Sequence, residues 1–150
     1  MSNLFSSQLH TEKTFYPSFL TDLENCREEV IIESPYITSE RTNQFIPIFE
    51  KFLEKGVRIF VMTRDPREHT LSMEVQSEEA IRTFEIMGVQ TLLCIGNHHR
   101  KLAILDRKIL WEGSLNILSQ TYSREIMRRI ENEEFTMEMF NFLKIDRFIY

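Results

Sequence analysis

The chain has 150 residues, 42% hydrophobic and 27% charged, which excludes a disordered or fibrous protein and sets a single globular domain over residues 1–150. Its formal net charge of -5 excludes a uniformly basic nucleic-acid coat and leaves room for a local basic site. No apolar run approaches the roughly 18 residues of a transmembrane helix, and residues 1–14 lack a signal-peptide core. A cytoplasmic location with no membrane partner is therefore expected for the domain standing alone, an expectation that a longer parent chain would weaken. Cys26 and Cys94 lie in apolar contexts without C-x-x-C spacing and read as buried free thiols.

Phe19, Leu20, Leu23 and Cys26 follow Pro17 at helical spacing and predict an amphipathic helix over about 17–27. The apolar run 30–34, closed by Pro35, reads as a buried strand. Phe45, Ile48, Phe49, Phe52 and Leu53 share one face of a helix over 45–55; Pro47 marks its start or kinks it, and Gly56 stops it. A strand over 57–63 follows, then a polar loop from Arg64-Asp65-Pro66 to about Met73. Ala80, Ile81, Phe84 and Met87 predict a helix over 75–87 ending at Gly88, with a third strand over 89–95 and a turn at Gly96-Asn97-His98. Short strands over 101–105 and 108–111 meet at Asp106-Arg107, a helix is predicted from Gly113-Ser114 to about Tyr122, and 135–140 reads as a last strand. Strands alternating with helices predict an α/β fold: a mixed, mostly parallel β-sheet with helices on both faces.

The densest signal is His99, Lys101, Asp106, Gly113, Ser114 and Asn116, which form the pattern H-x-K-x4-D-x6-G-S-x-N, present once. Strand alternation puts His99, Lys101 and Ala103 on one side and Leu102 and Ile104 on the other. An imidazole serves as nucleophile or general acid, and a neighbouring ammonium stabilises negative charge building on phosphate oxygens. Ser114 and Asn116 add neutral donors, and amides at a helix start there would bind an anion. The set is a cradle for a phosphoryl group. With no EF-hand, H-E-x-x-H or zinc spacing in the sequence, neither a metal nor another cofactor is expected. An aspartate in a tight turn caps backbone amides readily, which suits Asp106. His98 reads as a loop residue and Trp111 as core. Arg124, Arg128 and Arg129 are either a solvated helix face or a phosphate track along a nucleic-acid groove, and Arg64, at a strand end, is a further candidate for that track.

This motif resembles the signature of the phospholipase D superfamily, and the strand before Pro35-Tyr36-Ile37 and the strand after Gly56 fit the same half-domain. The resemblance implies that His99 attacks phosphorus and forms a phosphohistidine, that a second motif histidine protonates the leaving oxygen, and that Lys101, Ser114 and Asn116 hold the phosphate without a metal. It places Asp106 in the catalytic set as the residue that holds the turn. It also implies a downstream glutamate bonded to the partner motif's histidine, for which Glu133 and Glu134 are candidates and Glu134 is preferred. In-line displacement puts attacking and leaving groups on opposite sides of phosphorus, so one histidine cannot fill both places. Single-motif members of this family are typically dimeric nucleases, in which a two-fold axis supplies the second histidine.

The resulting expectation is a metal-independent endonuclease acting on DNA as a homodimer, with a fused or partner helicase or restriction module. A phospholipase or transphosphatidylase acting on lipids is the first alternative. A non-catalytic nucleic-acid-binding module is the second.

Overall fold

Apolar side chains alternate along the strands: Val30, Ile32, Ile59 and Val61 turn to one side, and Ile31, Phe60 and Met62 to the other, so both faces of the sheet are buried. The computed structural model describes residues 5–120 and 122–147. In chain order the elements are β1 (Ser6–Thr11), α1 (Phe15–Glu24), β2 (Glu29–Glu33), α2 (Ser39–Glu54), β3 (Arg58–Arg64), α3 (Leu71–Met87), β4 (Gln90–Cys94), β5 (Leu102–Leu105), β6 (Ile109–Gly113), β7 (Ile126–Glu131) and α4 (Glu133–Leu143), with short 3-10 turns at Pro66–Glu68 and Ile145–Arg147. The seven strands form one sheet in the order β1-β7-β6-β5-β2-β3-β4.

Helices α1, α2 and α3 cover one face through Phe15, Phe19, Leu23, Phe45, Phe49, Phe52, Ala80 and Phe84. Helix α4 covers the other through Phe140 and Leu143, which pack on Ile104, Leu110 and Ile130. The α/β class, the mixed sheet and the two helical faces agree with the sequence reading. Its parallel majority does not: only β2–β3 and β3–β4 are parallel, and the other four pairings are antiparallel. The difference comes from β1 and β7, which were not foreseen as strands and close the antiparallel half against the β5–β6 hairpin.

Three further expectations are corrected. The segment 135–140 is helix, because Asn132 caps it by accepting the Phe135 N–H at 2.9 Å, and Thr136, Phe140 and Leu143 recur at helical spacing. Residues 114–120 form turns instead of a helix; residue 121, within the expected helix, lies outside the described residues. The backbone there bonds outward: Leu118 N–H donates to Ser34 Oγ at 3.1 Å and Gln120 N–H to Thr38 Oγ1 at 2.8 Å. Helix α2 starts six residues before Phe45, capped by Thr38, and carries Pro47 in its interior. Trp111 is core, fully buried edge-on against Phe15, with its Nε1 donating to Asp22 at 2.8 Å. Cys26 and Cys94 are free, the first buried and the second half-buried.

Two motif residues build this frame. Asp106 and Arg107 turn the β5–β6 hairpin with φ of 52° and 56°, the left-handed pair that a two-residue hairpin needs. The Asp106 carboxylate accepts the N–H groups of Arg27, Glu28 and Glu29, each at 2.9 Å, and so ties the hairpin to the entry of β2. Gly113 ends β6 where a Cβ would stand 2.1 Å from the Ile126 carbonyl oxygen and 2.8 Å from the Met127 sulfur. Asp106→Ala is expected to lower stability by about 2–4 kcal/mol, since three amides lose a charged acceptor. Gly113→Ala is expected to cost about 1–3 kcal/mol by prying β6 from β7. Denaturant melts of both variants check this, and wild-type midpoints would refute it.

Candidate active site

The carboxyl ends of β2, β3 and β4, the entry to β5, the end of β6 and the start of β7 share one edge of the sheet. Loops at the carboxyl ends of parallel strands are where open α/β sheets place their sites. The segment 95–101 crosses this edge. Its left-handed Gly96 and Asn97 (φ 95° and 57°) offer adjacent N–H groups to the Glu68 carboxylate, each at 2.9 Å.

Beyond that clamp the side chains alternate. His98 and Arg100 turn to the face of Glu33, the fully buried last residue of β2. Arg100 donates to Glu33 Oε1 at 3.2 and 3.3 Å. His98 Nε2 lies 2.7 Å from the same oxygen, but off the line that a hydrogen bond requires, so Arg100 is the aligned partner. His99 and Lys101 turn the opposite way. Lys101 Nζ lies 2.9 Å from His99 Nδ1 and 3.2 Å from Nε2, and donates to the His99 carbonyl at 2.8 Å. Tyr36 meets the His99 ring edge-on, with centroids 6.2 Å apart.

The electrostatics follow from this pairing. The Lys101 ammonium is the main cause that holds His99 below the ordinary histidine range, with burial, Arg64 and His98 acting the same way. Burial lowers the pKa of Lys101, and the Glu125 carboxylate opposes that shift. A neutral imidazole beside a cation is the arrangement a nucleophile facing a phosphate needs.

The remaining expected residues divide. Ser114 opens the turn at this edge, and its Oγ accepts the Ile126 N–H at 3.0 Å. Asn116 sits two residues on, with its Oδ1 buried and without a hydrogen-bond partner. No helix begins at Ser114, so no helix-start amides join the cradle. Asp106 lies at the far end of the β5–β6 hairpin and does not meet His99. Glu133 and Glu134 begin α4 beyond the far end of β7, where Asn132 N–H bonds the Lys108 carbonyl, at the opposite end of the sheet from the His99 of their own chain. The acidic residue at the right end is Glu125, just before β7, whose Oε1 accepts from Ser123 Oγ at 2.8 Å. No local signal in the sequence marks it, because β7, the strand that follows it, mixes charged and apolar residues without a periodic apolar run. Of the three arginines, Arg124 is exposed beside Glu125. Arg128 bonds Ser7 Oγ at 2.9 Å. Arg129 is taken up by Asp22 at 2.7 and 2.9 Å, an internal ion pair and not an open phosphate contact.

A family model described as "Cardiolipin synthase, PLD-like domain" matches residues 19–145. NucT from Helicobacter pylori is 16% identical and superposes with a TM-score of 0.69, covering 94% of both chains. The phospholipase D family member Nuc from Salmonella typhimurium is 15% identical with a TM-score of 0.72, covering 94% of this chain and 93% of that one. A phosphatidylserine synthase from Haemophilus influenzae, 13% identical with a TM-score of 0.64, shares the fold over 99% of this chain and 39% of its own. Among the described residues no helix is long and apolar enough to cross a membrane.

Lys101→Met is expected to raise the His99 pKa toward the ordinary value of about 6.5, because the removed ammonium is the largest force lowering it. A histidine NMR titration reads this without any need for turnover. An unchanged or lowered pKa would refute the assignment.

Proposed function

The chain belongs to the phospholipase D-like family, and we propose that it is a metal-independent phosphodiesterase that cleaves nucleic acid, DNA first, at a site completed by a second copy of the chain. The observation that carries this reading is the His99–Lys101 pair at 2.9 Å on the sheet edge, present once. In the resting site the ammonium donates to whichever ring nitrogen carries no proton. An entering phosphate draws the ammonium onto its own oxygens and frees that lone pair. His99 then forms a nitrogen–phosphorus bond as the phosphorus–oxygen bond to the leaving group breaks. The imidazolium of the second copy gives its proton to the departing oxygen. Water, deprotonated by the now neutral second imidazole, opens the phosphohistidine and restores both histidines.

Lys101, Ser114 and Asn116 hold the phosphate oxygens, and Glu125 steadies the cationic side of the site. Arg124 and Arg128 extend toward the flanking backbone; Arg129 takes no part, because Asp22 holds it. The family model's description favours lipid head-group transfer as the second reading.

Duplex and single-stranded DNA incubated with the protein in excess EDTA are expected to be cut. His99→Ala should lose about 1000-fold or more, and Glu125→Gln about 10- to 100-fold. Sedimentation should give a dimer. A monomer that cuts DNA would refute the shared site, and turnover of phosphatidylcholine vesicles without DNA cleavage would favour the lipid reading.

A further inference from the structure

Arg64 ends β3 at the same sheet edge, yet none of the proposed chemistry uses it. Its side chain is half-buried, with Nε donating to the His98 carbonyl at 3.1 Å and Nη1 to the Tyr36 hydroxyl at 3.2 Å. Both partners are neutral. Arg58, Arg67, Arg100, Arg107 and Arg129 each have a carboxylate within 3.2 Å, whereas among the described residues Arg64 has none within ion-pair distance. The Glu68 carboxylate feels its charge from farther off, but with only neutral acceptors bonded to it the guanidinium stays open to an incoming anion.

Its position relative to Lys101 carries the rest. Arg64 holds the His98 carbonyl and Lys101 holds the His99 carbonyl. The segment is extended, since His98 and Arg100 share one partner on one face and His99 and Lys101 meet on the other. Successive carbonyls of an extended chain point to opposite sides. The two cations therefore approach the histidine segment from opposite flanks. Tyr36 touches both, edge-on to the His99 ring and accepting from the guanidinium. Arg64 also lies close enough to depress His99 and Lys101. One phosphate cannot sit on both flanks at once, but two neighbouring phosphates of a nucleic-acid backbone can.

We propose that Arg64, backed by Tyr36, is a second phosphate subsite that takes the backbone phosphate next to the scissile one, and so selects a polyphosphodiester over an isolated diester. This rests on the phosphodiesterase reading above and names what that site measures along its substrate. A substrate with a single phosphorus fills only the Lys101 flank. An oligonucleotide fills both.

The test compares wild type, Arg64→Gln and Arg64→Lys on a single-stranded oligodeoxynucleotide and on bis(4-nitrophenyl) phosphate, with circular dichroism to confirm folding. Arg64→Gln is expected to lower kcat/KM on the oligonucleotide about 10-fold or more and on the small diester less than about 3-fold. Arg64→Lys should recover part of the first loss. Equal losses on both substrates would overturn the inference, because Arg64 would then act on the scissile phosphate or merely hold the loop. Binding in the His99→Ala background reads the same contact without turnover. Arg64→Gln should lower the slope of log affinity against log salt for the oligonucleotide by about 0.7. An unchanged slope overturns the subsite even if neither substrate is cut, and that absence of cutting would count separately against the phosphodiesterase reading.

Discussion

The site depends on one constraint: the buried carboxylate of Glu33 at the end of β2. Burying an ion is costly unless it is paired. Glu33 meets that demand through Arg100, which donates to its Oε1, while His98 of the same segment packs 2.7 Å from that oxygen without an aligned hydrogen bond. Because side chains of an extended chain alternate, fixing His98 and Arg100 on one face fixes His99 and Lys101 on the other. Glu68 sets where the segment starts, by holding the Gly96 and Asn97 amides. The reacting pair is thus aimed by groups on the opposite side of the chain, and the aim does not require contact with the imidazole itself.

The same division runs through the motif. His99 and Lys101 pair at the edge of the sheet, while Asp106 and Gly113 build the support. Asp106 gathers three amides of the chain entering β2, and β2 is the strand that ends in Glu33. Gly113 permits β6 to approach β7 closely, which brings Ser114 and Glu125 to the edge where His99 lies. On the phosphodiesterase reading, fixed spacing between chemically unlike residues reflects two demands, one from a phosphate and one from strand packing.

What was legible in the sequence followed periodicity and punctuation. The strands around Ile31 and Phe60 are continuous apolar runs, Gly88 ends α3 in the left-handed conformation, and Asp106-Arg107 turns a hairpin as read. The pairing of His99 with Lys101 was legible because strand alternation alone puts the two side by side. The errors have physical sources. Strands β1 and β7 carry polar and charged residues on exposed positions, so pairing with neighbours, invisible in a local window, makes them strands. Without β7 in view, nothing in the local sequence sets Glu125 at the same end of the sheet as Lys101. The helix expected after Gly113 lost to tertiary bonds, because Ser34 and Thr38 accept the amides that an i−4 carbonyl would otherwise take. The α4 cap was present in the sequence as Asn132 followed by two glutamates and was passed over in favour of a short apolar run.

On the two-copy reading, the reaction must break a symmetry that the protein preserves. Two copies of His99 are chemically identical, yet one must attack as a neutral base while the other donates a proton. Lys101 depresses both, so in the empty site the neutral form is favoured twice over. A bound phosphodiester changes the balance: its negative charge favours a proton on the pair, and the first imidazolium repels a second, which leaves the other ring neutral to attack. Substrate charge then supplies the proton that the resting site disfavours, and the two histidines titrate as a pair instead of as separate groups. A cation such as Arg64 on the flank of the reacting ring works against that second proton unless an anion covers it. On the Arg64 subsite reading, covering it with the neighbouring phosphate would tie protonation of the leaving-group acid to occupancy along the backbone.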